Sequence, residues 1–167
     1  MTDHVRRSAP GETPYLRRFL AMTMDERWAD RSPQTMLDTF HWYRGEAFDL
    51  IVEDLLALSP HRGVIAEGFR LLPELVAPLL ATPGHALWLL PTPHFRRTAL
   101  EARGDLWTIA GRTSHPARAL LNLLERDALF TDRLAETTTR LALPHLHIDE
   151  AMTEDALEAK VTAALGL

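Results

Sequence analysis

The sequence predicts an α/β fold on a parallel sheet, and three observations predict it. Short apolar runs, GVIA (63–66), HALWLL (85–90) and LHI (146–148), each stop at a turn or an acidic residue. Helical patterns separate the runs, and strands separated by helices pair in parallel through right-handed crossovers. No internal repeat, low-complexity tract or long linker interrupts the 167 residues, so the chain reads as one domain, 1–167.

The elements follow in order. Thr13-Pro14 opens a short helix over 13–22, since proline suits the first helical position. Ser32-Pro33 repeats the signal, and Met36, Leu37, Phe40, Phe48, Ile51, Val52, Leu55 and Leu56 continue at helical spacing, with a bend expected at Gly45. Val64 and Ile65 are β-branched between turn residues, which predicts a buried strand over 64–66. PELVAPLL (73–80) predicts a helix, and HALWLL a second strand closed by Pro91-Thr92-Pro93. Helices are expected over 95–103 and, opened by Pro116, over 115–141. Residues 146–148 form the third strand, ending at Asp149, and Thr153 caps a last helix with Glu154 and Asp155 in its first turn. Three short strands make a thin sheet for this length.

With 46% hydrophobic and 25% charged residues the chain can bury a core, which argues against disorder. A net charge of -5 argues against a nucleic-acid surface. There is no cysteine, so disulfides and thiolate chemistry are excluded. No apolar run reaches the length of a membrane span and the N-terminus lacks a signal-peptide pattern, so the reading is cytoplasmic, with no membrane partner.

The chemistry-bearing candidates start with Glu67, expected at the C-terminal end of the 64–66 strand. Ligands gather at that edge of a parallel sheet, and a carboxylate there can take a proton or hold magnesium through water. The alternative is a solvated glutamate in the strand-to-helix loop. Arg96, Arg97 and Arg103 follow in FRRTALEARG, and Arg96 and Arg103 lie two helical turns apart, on one face. Guanidinium forks suit phosphate oxygens, while the competing reading is a solvated face with Arg103 paired to Glu101 or Asp105. Arg112, Arg118 and Arg126 lie further on. His145 and His147 alternate on one strand face, but no third ligand accompanies them, so no metal site is expected. Trp28 and Trp107 read as packing residues, and Ser59 and Ser114 lack a triad context.

GVIAEG, then HALWLLPTPHFRRTALEARG, then a helix ending LLERD, then LHID, resembles the later part of a P-loop kinase of the nucleoside or small-molecule type. Within that class it is similar to actinobacterial proteins with a WLLPT strand, an ERW segment and an acidic strand-end residue before glycine. The resemblance implies a three-layer parallel sheet of P-loop kinase type, N-terminally truncated, and a helical lid over about 94–127. It implies ATP-dependent phosphoryl transfer with ATP and magnesium as cofactors, and a nucleotide and a small-molecule acceptor as partners. Glu67 would be the catalytic carboxylate, Arg97, Arg103 and Arg126 the phosphate-binding lid, and Asp3, His4 and Arg44 the substrate side, with His41, Trp42 and Tyr43 either near the acceptor or, equally, in the core or an interface. The chain departs from the family in holding no G-x-x-x-x-G-K-[ST], the loop whose N–H groups and lysine cradle phosphates. A strand, P-loop, helix and strand, about 30 residues or more, would be missing ahead of Met1. The alternative is a non-catalytic binding or partner module. A sheet edge left bare by absent strands would favour homo-oligomers.

Overall fold

The computed structural model describes residues 2–9, 11–59 and 63–167, with the side chains of residues 2–4, 100, 103 and 105–107 left undescribed. Helix dominates. In chain order the elements are α1 (Thr2–Arg7), α2 (Pro14–Ala21), α3 (Met24–Trp28), α4 (Pro33–Thr39), α5 (Phe48–Leu56), α6 (Pro73–Val76), β1 (Trp88–Pro91), α7 (Pro93–Arg103), α8 (Asp105–Ala110), α9 (Pro116–Arg140), β2 (His145–Ile148) and α10 (Glu154–Leu165).

Local chemistry sets most of these boundaries. Ser32 Oγ accepts from Thr35 N (3.1 Å) to start α4, and Thr153 Oγ1 from Ala156 N (3.2 Å) to start α10. Thr23 and Glu26 form a reciprocal capping box on α3. The long helical pattern after Ser32 breaks into α4, a 3-10 turn over His41–Arg44 and α5, because Gly45 adopts φ 75°. Only glycine fits there comfortably: a Cβ would stand 2.6 Å from Leu75 Cδ1.

α9 is the spine. Its N-terminal half packs with α3, α4 and α8 around Phe19, Trp28, Met36, Leu37, Phe40, Tyr43, Ala119, Leu123 and Phe130. Tyr43 and Phe130 stack at 3.7 Å and 9°. Its C-terminal half underlies β1, where Trp88, Leu90 and Leu143 form a second cluster, and Leu134 touches both. Burying one such large apolar side chain stabilises by about 1.5–3 kcal/mol.

The expected three-layer, N-terminally truncated P-loop-type sheet does not form. Among the described residues the sheet has two strands, paired in parallel with Trp88 opposite His145 and Pro91 opposite Ile148. The two later strands of the reading are therefore present and parallel, and the strand expected over 64–66 is absent. Residues 63–67 carry no regular structure, and Val64 (51% exposed) and Ile65 (85%) face solvent. A β-branched run becomes a strand only through a neighbour's hydrogen bonds, and among the described residues no main-chain bond reaches Val64–Glu67.

Candidate functional site

β1 and β2 end level, at Pro91 and Ile148, and the residues that follow build a groove. Thr92 N donates to Ile148 O (2.8 Å), while Thr92 Oγ1 accepts from Phe95 N (3.2 Å), so the chain turns directly from strand into α7 with Pro93 at its first position. After β2, Asp149 Oδ1 accepts from Ala151 N (3.0 Å) in a tight turn. His94 Nδ1 lies 3.3 Å from Glu150 Oε1, bridging the two strand ends. α9 supplies the facing wall with Leu121, Leu124, Glu125 and Ala128, one helical face. With Pro93, His94 and Arg97 these residues line a groove of about 690 Å³, a size that suits small molecules.

Consecutive arginines take opposite roles. Arg96 Nη2 donates to Asp127 Oδ2 (2.8 Å). Arg97 faces the groove, and its nearest carboxylate, on Glu101, is 4.0 Å away with both side chains about half exposed, so its donors are largely unspent.

Behind the groove wall lies a buried charge network. Arg126 Nε (3.0 Å) and Nη2 (2.6 Å) both donate to Asp127 Oδ1, which also accepts from the Tyr43 hydroxyl at 3.3 Å. Burial alone raises the Asp127 pKa, but Arg126 and then Arg96 outweigh it and hold the carboxyl below its ordinary range. Burial pushes the Tyr43 phenol up. The Arg126 guanidinium sits 5.2–5.5 Å from the Trp28, Phe40 and Tyr43 ring centres. Those rings give the guanidinium a cation–π environment, while its Nη1 lacks a hydrogen-bond partner.

The candidates named from sequence scatter across the molecule. Glu67 lies not at a strand end but in a second groove of about 380 Å³, with Ile51, Asp54, Leu55 and Phe69. Arg97 lines the first groove, so the two do not share a cleft in either of these grooves. Arg126 is enclosed in the core. Arg44 lies 5.5 Å over the Tyr15 ring. The side chains of Asp3, His4 and Arg103 lie outside the described residues. His94, Glu125 and Glu150 were missed, although PTPHF marks a cap at a strand end and LLNLLERDA the spacing of one helical face. Among the described residues no group of three His, Asp or Glu gathers for a metal ion. Neither a family model, nor a curated protein, nor a solved structure matches this chain.

Proposed function

We propose that this chain is a non-catalytic binding module for a small phosphorylated molecule, held in the groove between α7 and α9. The carrying observation is Arg97: a half-exposed guanidinium, 4.0 Å from an exposed Glu101 carboxylate, that opens on a groove at the C-terminal edge of a parallel strand pair. Its fork suits a phosphate bidentately, Glu125 opposite accepts from ligand hydroxyls, and Leu121, Leu124 and Pro93 offer apolar contact. Binding is preferred to turnover because the sequence carries no phosphate loop to orient a triphosphate. Affinity should be weak for the same reason, with a Kd of about 0.1–1 mM, because one guanidinium offsets little of the cost of ordering a ligand. Titration of the isotope-labelled protein with a nucleoside monophosphate, its parent nucleoside and magnesium-ATP tests this. Shifts on α7 and α9 with the monophosphate, about fivefold weaker with the nucleoside or after Arg97→Ala, support it. Indifference to Arg97→Ala, or shifts confined elsewhere, would sink it.

A further inference from the structure

The segment left out of the sheet and the end of α5 before it hold half of the exposed large apolar side chains among the described residues. Leu55 (37% exposed), Leu56 (80%), Leu58 (49%), Val64 (51%), Ile65 (85%) and Phe69 (51%) all fall within residues 55–69. Six large side chains exposed to this degree offer on the order of several hundred Å² of apolar surface, comparable to the patches that mark protein contacts. It also approaches the roughly 800 Å² per partner of a stable association. Two features accompany the area. Ala66, Phe69 and Leu71 line the 380 Å³ groove together with Ile51 and Leu55, so the segment and α5 share that groove. Among the described residues no main-chain hydrogen bond reaches Val64–Glu67, so a row of donors and acceptors stands open beside the apolar side chains.

We infer that this shelf is a self-association surface, in which the segments around Ile65 of two copies pair as antiparallel strands across a two-fold axis. A main chain without hydrogen-bond partners is satisfied by pairing with another strand, and this run is complementary to itself. Centred on Ile65, antiparallel pairing sets Ile65 against Ile65 of the second copy, Val64 against Ala66, and Gly63 against Glu67. Apolar residues meet apolar ones, and each glutamate faces a glycine instead of its own copy, so no like charges are opposed. Pairing satisfies the open main-chain groups of both copies together.

Sedimentation equilibrium over a concentration series, with amide exchange at each concentration, tests this. The expected result is a monomer–dimer equilibrium, with the amides of Val64–Glu67 gaining protection as dimer forms. Ile65→Lys should weaken association about tenfold or more. Because Ile65 is 85% exposed, its circular dichroism should stay that of the parent. Leu79→Lys, on a 59%-exposed residue outside the shelf, should leave association unchanged. A monomer at every concentration, a dimer indifferent to Ile65→Lys, or a dimer whose 64–67 amides stay unprotected would each overturn the inference.

Discussion

His41 shows what a single buried side chain can contribute to pH behaviour. It is fully enclosed among Phe19, Phe40 and Trp42, and neither ring nitrogen has a hydrogen-bond partner. Burial, with the Arg70 charge adding to it, pushes its pKa from 6.5 to about 4. Between those values the unfolded chain binds the proton and the folded chain does not. The contribution of neutral His41 is therefore complete above about pH 6.5 and lost as pH falls toward 4, by about 3 kcal/mol at roughly 1.4 kcal/mol per unit. His41→Phe should flatten that decline while changing little at pH 8, and urea midpoints across the range would read it; parallel curves for the two proteins would refute the assignment. Asp127 has the opposite logic, since it is buried with its charge compensated. Asp127→Asn leaves Arg126 without an anion and should cost about 3–5 kcal/mol in urea unfolding. A loss under about 1 kcal/mol would mean that the three surrounding rings alone hold the guanidinium.

At the scale of elements, α9 ends in a way its sequence does not favour. Leu143 N donates to Thr138 O (2.9 Å) and Ala142 N to Thr139 O (3.1 Å), the paired bonds of a Schellman stop, with Ala142 at φ 53° where glycine is usual. Ala142→Gly relieves the left-handed strain and gives back part of that gain as chain entropy, so stability should rise by about 0.5–1 kcal/mol. An unchanged or lowered melting temperature would contradict this. Such termini explain what was legible beforehand. Serine, threonine and proline act within one turn, so Ser32-Pro33, Thr153 and the Pro116 start could be read directly, and the parallel relation of β1 and β2 followed from the helices between them. The capping box of α3 was equally local and was passed over. The 64–66 strand failed for a non-local reason, since β-branched character says nothing about whether a neighbour exists. The groove was half legible: the arginines after β1 stood out, but which of Arg96 and Arg97 turns inward depends on Asp127, 31 residues away from Arg96 in sequence.

At the scale of the whole molecule, two clusters share one helix, and the question is whether they unfold together. The aromatic cluster around Trp28, Phe40 and Phe130 and the sheet cluster around Trp88, Leu90 and Leu143 are both packed against Leu134, on the same face of α9 as Phe130 one turn earlier. A 25-residue helix transmits order between its ends only if both ends are buried, because most helical stability in a protein comes from tertiary packing rather than from propensity. Leu134→Ala removes methyl groups that touch both clusters, and should cost about 2–4 kcal/mol, toward the lower end because the residue is only partly buried. If the clusters form one cooperative unit, amide exchange in α4 and in β1 should accelerate by the same factor, since both then exchange through global unfolding. Acceleration in β1 with α4 unchanged would show instead that the strand pair and the end of α9 open as a separate unit. The groove between α7 and the middle of α9 would then straddle a rigid wall and a labile one.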